Sequence, residues 1–224
     1  MATEQQIPVL MGKMVEYQKN FSVLPTEVAQ WVINHTEEAI GVCSQALTDY
    51  FKKVKEAKQI LRLISGGQTI RLKALDGTRL IYKARETFKG HIDSDFKNWG
   101  LAKKGVATPE TLIQIHEMVG DGTFMDIFRS LPGTWNQKWL SQDQLIEFCQ
   151  SFPDWLRPDG YGTFVLLKKD ENKVIDENNP AENLVAASVH VHSGGLLARV
   201  RQLGRDDLWH AEYRHRAVVP QLIP

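Results

Sequence analysis

The chain has 224 residues, with 27 Lys plus Arg against 27 Asp plus Glu, 42% hydrophobic and 24% charged residues. That balance excludes collagen-like, disordered and supercharged classes and leaves enough apolar side chain for a sizeable core. With no net charge, an electrostatic partner has to be recognised by a local patch. The opening Met1-Ala-Thr-Glu-Gln-Gln lacks a basic n-region, and no apolar run is long enough to span a bilayer. Cys43 and Cys149 are too few for a disulfide scaffold or a zinc knuckle. The expectation is a soluble, cytoplasmic protein with no membrane contact.

Residues 1–57 read as a helical N-terminal region. A short helix runs to about Asn20, and Leu24-Pro25 breaks the chain before Thr26, an N-cap with Glu27 in the first turn. Val28, Trp31, Val32, His35, Ala39, Val42, Ala46, Tyr50 and Val54 then recur at three- and four-residue steps, which predicts one long helix over 26–54 with a stripe that needs covering. A hairpin with the first helix would cover it, and so would a coiled-coil-like homodimer through the same stripe.

Residues 58–224 read as an α+β domain: a first antiparallel β-meander over 58–85, helices over 108–152 and a second meander over 162–219. In the first, runs at 59–65, 68–74 and 78–84 alternate with period two around Gly66-Gly67 and Asp76-Gly77, which pairs Leu63 with Ile70 and Leu72 with Leu80. The stretch 88–101 reads as irregular. Thr108-Pro109-Glu110 has the grammar of a helix start, with Leu112, Ile115, Met118 and Val119 on its apolar face. A second short helix follows over 121–131. Ser141 and Gln144 have capping-box spacing before Leu145, Ile146, Phe148, Cys149 and Phe152, and Pro153 ends that helix. Gly162 to Lys168 reads as a central strand, 169–183 as a polar surface insertion, and 184–192, 196–203 and 209–219 as further strands.

Four stretches resemble a family of hypothetical proteins from candidate-phylum bacterial genomes: Phe88 to Gly100, Ala107-Thr-Pro-Glu-Thr, Asp159-Gly-Tyr-Gly-Thr-Phe, and Trp209-His-Ala-Glu-Tyr-Arg-His-Arg-Ala-Val-Val-Pro-Gln-Leu. The likeness covers about residues 65–224. It implies a bacterial protein and brings no activity, cofactor or catalytic residue with it.

The chemistry-bearing residues concentrate in the second meander. A Gly194-Gly195 turn would pair Val191 with Ala198 and set His190 against Arg199; a loop over 204–207 would set Arg199 against Glu212 and Arg201 against His210. One face would then carry His190, His192, Arg199, Arg201, His210, Glu212, Arg214 and Arg216, a set suited to bidentate contacts with phosphate or carboxylate groups. A solvated polar face explains the same alternation. His190 and His192 also point the same way on a strand, but guanidiniums beside them repel a dication.

A second basic candidate lies between Lys52 and Arg85, with ten basic residues against Glu56 and Asp76; Arg71, Lys73, Arg79 and Lys83 are its strand members. Such residues track a phosphate backbone, or else dock on an acidic helix of the same chain. Asp93 and Asp95 suit an Asx turn better than a metal, Cys43 and Cys149 read as buried hydrophobes, and His35 and His116 as helix residues.

The resulting expectation is a non-enzymatic binding module, without cofactor or metal, whose basic sheet face contacts a polyanion such as nucleic acid. The alternatives are a metal-dependent hydrolase using His190, His192 and His210 or the Asp93/Asp95 pair, and a structural oligomer built on the long helix.

Overall fold

The computed structural model describes residues 25–57 and 59–221. The chain divides into two compact units, Met1–Glu56 and Ala57–Pro224. The short first helix expected up to Asn20 lies outside the described residues, as do the side chains of Cys43, Tyr50 and Val54.

The first unit holds α1 (Thr26–Asn34) and α2 (Thr36–Ala57), so the single long helix of the sequence reading is two. The break falls at His35, whose φ of −129° leaves the helical region, and Thr36 Oγ1 donates back to the Val32 and Ile33 carbonyls. The β-branched pair Val32-Ile33 followed by Asn34 makes this the weakest helical stretch of the segment. The expected stripe is not covered: Ala39 is buried, but Val28, Trp31, Val32 and Val42 are exposed, with Ile33 and Ile40 beside them.

The second unit joins helices to one mixed sheet, an α+β architecture. Its strands are β1 (Leu61–Leu63), β2 (Ile70–Leu72), β3 (His91–Ile92), β4 (Thr111–Met118), β5 (Gly162–Lys168), β6 (Leu184–His192), β7 (Gly195–Gln202) and β8 (Arg216–Pro220). They lie in the order β1-β4-β8-β5-β6-β7-β3, with β2 also on β4. The β3–β7 and β5–β8 pairs are parallel and the others antiparallel. The helices are α3 (Asp95–Asn98), α4 (Phe124–Arg129) and α5 (Gln142–Ser151). No helix among the described residues is long and apolar enough to cross a membrane.

Three sequence expectations fail here, each to a longer-range pairing. The Gly66-Gly67 hairpin does not form: β1 and β2 both pair with β4, Leu61 against Met118 and Ile70 against Ile113. The third strand of that meander is a 3-10 turn at Ile81–Lys83. The helix expected from Thr108 is strand β4, whose Ile113 and Ile115 face one core while Met118 faces the other. Its run Leu112-Ile-Gln-Ile-His-Glu-Met satisfies both periods, and partners on both sides decide for the strand.

Both sheet faces are buried. On the first, Ile115, Val165, Val189 and Val200 pack against Leu145, Ile146, Phe148 and Cys149 of α5. On the second, Phe164, Leu166, Ala186 and Ala217 meet Phe124, Ile127 and Phe128 of α4 and Trp135. Strand β5 is buried along its whole length, the central strand its sequence predicts. Helix α5 starts on the expected capping box: Ser141 Oγ accepts from Gln144 N–H at 3.1 Å and Gln144 Oε1 from Ser141 N–H at 2.9 Å. It ends before Pro153. Cys149 is free and buried, and burial pushes its thiol pKa far up.

The turn between β6 and β7 closes one residue earlier than expected. His192 pairs with Gly195, so Ser193-Gly194 forms the loop and Val189 meets Ala198, a shift of two that preserves the faces. The last expected strand is divided. Residues 211–213 form a 3-10 turn, Arg214 takes φ 48°, and β8 enters between β4 and β5 rather than beside β7.

Candidate functional site

On the second face, the two rows nearest the β6–β7 turn carry polar as well as apolar side chains. Register places Gly162, His190, Leu197 and His91 in one row and Phe164, Ser188 and Arg199 in the next. His190 is buried at 8% exposure. Its Nδ1 lies 2.9 Å from the Gly160 carbonyl, which can only accept, so Nδ1 carries the proton and Nε2 accepts from Ser188 Oγ at 3.1 Å. Burial lowers its pKa, and Arg199, His192 and Arg201 lower it further, so these four groups share one electrostatic neighbourhood. Gly160 takes φ 77°, and a Cβ there would sit 3.1 Å from His192 Cε1, so the His192 ring lies directly beside this turn.

Around this buried imidazole the surface is basic. Arg199, His192, His91 and Lys89 are exposed. None of the four has a hydrogen-bond or ion-pair partner for its side chain among the described residues. Lys89 Cβ lies 3.0 Å from an ideal Cβ at Gly195, which brings the β3 edge over the turn. Arg201 is compensated, with its Nη1 3.3 Å from Asp93. Asp93 also accepts from Asp95 N–H, the Asx turn expected of that pair.

Beside Gly160 an aromatic and imidazole cluster closes the end of β5. His215, 3% exposed, stacks on Phe164 at 4.9 Å and meets Tyr161, Trp209 and Tyr213 edge to face. Its Nδ1 accepts from Gly162 N–H at 2.9 Å, which requires that nitrogen to be unprotonated, and burial pushes its pKa down to about 4. Tyr161 and Tyr213 stack at 5.0 Å, and the Arg157 guanidinium lies 5.2 Å from the Tyr161 ring centre. The non-glycine residues of positive φ among the described residues are Asp159 at 62° and Arg214 at 48°, and both flank this cluster. Such backbone costs about 1–3 kcal/mol and persists where surroundings over-determine it. Trp209 Nε1 and His116 Nε2 are buried without a partner, and His116 lies opposite Ala217 of β8.

The seven residues expected on one basic face do not all meet. His190, His192, Arg199 and Arg201 do. His210 instead binds Asp121 at 3.2 Å, because β8 leaves β7 and the expected Arg199–Glu212 and Arg201–His210 pairs cannot form. Arg214 is exposed on the 3-10 turn. Arg216, opposite Thr163, belongs to the other face and donates to the Asp154 and Leu156 carbonyls. No group of three or more His, Cys, Asp or Glu among the described residues is placed to hold a metal, so His190, His192 and His210 form no such set.

The second basic candidate is largely neutralised within the chain. Arg71 pairs with Glu110, Lys73 with Glu147 at 3.0 Å, and Arg79 with Asp143 and Glu147 of α5, while Lys83 lies over the Tyr82 ring. This is the docking on an acidic helix that the sequence offered as an alternative. Sequence reasoning missed Lys89, His91, Arg157, Tyr161 and His215. Gly160 and Gly162 read only as turn or strand-entry glycines, and it is the fold that puts them against residues 190 and 215.

No family model, no curated protein and no solved structure matches this chain.

Proposed function

We propose that the protein is a non-enzymatic binding module whose basic sheet corner, formed by Lys89, His91, His192 and Arg199 around His190, contacts a polyanion. The observation that carries this reading is Arg199: an exposed guanidinium opposite Ser188 of β6, with no ion-pair partner among the described residues, beside other exposed unpaired basic groups. A merely solubilising face usually mixes signs, and the acid nearest this corner, Asp93, is already engaged by Arg201. Phosphate groups match the guanidinium fork and release counterions on binding. Replacing Lys89 and Arg199 together with Ala should reduce the log-log slope of affinity against salt by about 1.4–1.8, because two phosphate contacts are lost. The fold should survive, since exposed charges typically contribute less than about 1 kcal/mol. Titration of labelled nucleic acid at two salt concentrations reads this out. No binding at low salt, or an unchanged slope in the double variant, removes this corner as the site.

The helical unit favours a second reading, self-association of two copies. Among its described residues, Trp31, Ile33, Ile40 and Val42 leave more apolar surface in water than two short helices ordinarily tolerate.

A further inference from the structure

The Tyr161–Tyr213 stack stands one residue from the Gly160 carbonyl that holds His190, so an aromatic stack adjoins the basic corner. Tyr213 is its exposed member, at 37%. Arg157 supports the stack from within: its guanidinium lies over Tyr161, and its Nε donates to the Tyr213 carbonyl at 3.1 Å. His215 meets both rings edge to face, and the left-handed Arg214 ends the turn that presents Tyr213. The carboxylates nearby are Asp121, Asp159 and Glu212. Asp121 is held by His210 and Ala211 N–H, Asp159 lies 3.7 Å from Arg157, and the exposed Glu212 lies by the Tyr213 hydroxyl, whose pKa it raises. A phosphate chain would therefore run on the His192, Arg199 and Lys89 side, away from these acids.

From this juxtaposition of a pre-stacked, partly exposed tyrosine with unpaired cations, we infer that the polyanion is single-stranded nucleic acid, with an unpaired base stacking on Tyr213 while phosphates follow Lys89, His192 and Arg199. This rests on the polyanion reading of the same corner and adds the base. A duplex keeps its bases stacked on each other and offers the ring nothing, whereas every unpaired base has a face to give it.

Fluorescence anisotropy with a labelled oligo-dT and a duplex of equal length, using the full chain, tests it. Tyr213→Leu should weaken oligo-dT binding roughly 5- to 100-fold and leave the salt slope unchanged. Tyr213→Trp should bind at least as tightly as the native chain, which separates stacking from loss of fold. Duplex binding, weaker at every salt, should not respond to either change. If Tyr213→Leu binds oligo-dT like the native chain while binding still falls with salt, the stacking inference fails and the polyanion reading stands. If neither nucleic acid binds at low salt, both fail.

Discussion

Burial holds His116 and His215 at about 4, well below the ordinary histidine range, so both imidazoles are neutral at neutral pH. In the unfolded chain they titrate near 6.5. Between about pH 6.5 and 4 the unfolded state therefore binds protons that the folded state does not, and stability falls as pH drops through that window. Urea midpoints should decline from about pH 7 to pH 5. His116→Leu should flatten the decline, because its Nε2 has no partner to lose. A midpoint that does not move over this range would mean that the imidazoles are not held neutral. Gly77 offers a second test: at φ 76° a Cβ would overlap the Val106 carbonyl, and its N–H donates to Asp143. Gly77→Ala should therefore destabilise by more than about 1 kcal/mol, measured by urea unfolding. His215 could not be placed from sequence, since its strand was read beside β7 and only insertion between β4 and β5 puts the ring against Phe164 and Gly162.

Helix α5 illustrates how an element was legible while its role was not. Its capping box and apolar stripe lie within a dozen residues and were readable locally. Asp143 and Glu147, one turn apart, are 2% and 5% exposed, and Arg79 reaches both, with Gln150 on a further nitrogen. Burial raises the Glu147 pKa, but hydrogen bonds from Arg79, Lys73 and Ser151 outweigh it and leave the carboxyl lowered, hence ionised. Arg79→Ala would take from Asp143 its only ion-pair partner among the described residues, leaving it Gly77 N–H, and from Glu147 one of two, leaving it Lys73. It should cost about 1–3 kcal/mol, whereas Arg71→Ala, at an exposed pair, should cost less than about 1 kcal/mol. Equal losses for the two variants in denaturant unfolding would overturn this account. Strand β4 shows the opposite case. Thr108-Pro109-Glu110 carries local helix grammar, but β1, β2 and β8 supply ladder partners from as far as residue 220. No local period encodes those partners.

At the scale of the whole molecule, the division at Glu56 separates two kinds of evidence about partners. The sheet unit encloses two apolar clusters on opposite faces of one sheet, with most of its large hydrophobic side chains buried, so it has what independent folding requires. The described part of the helical unit buries little, with Ala39 covered and Ile33, Ile40 and Val42 at 60–67% exposure. Residues 57–224 alone should therefore unfold cooperatively and keep the oligo-dT affinity of the full chain, because Lys89, Arg199 and Tyr213 all lie within them. If two copies associate through their helices, light scattering should give a dimer for the full chain and a monomer for residues 57–224. A monomeric full chain rejects the self-association reading and leaves nucleic-acid binding untouched. A fragment that remains dimeric would place the interface on the sheet unit, and a fragment that does not fold would show that the two compact units are not two units of stability.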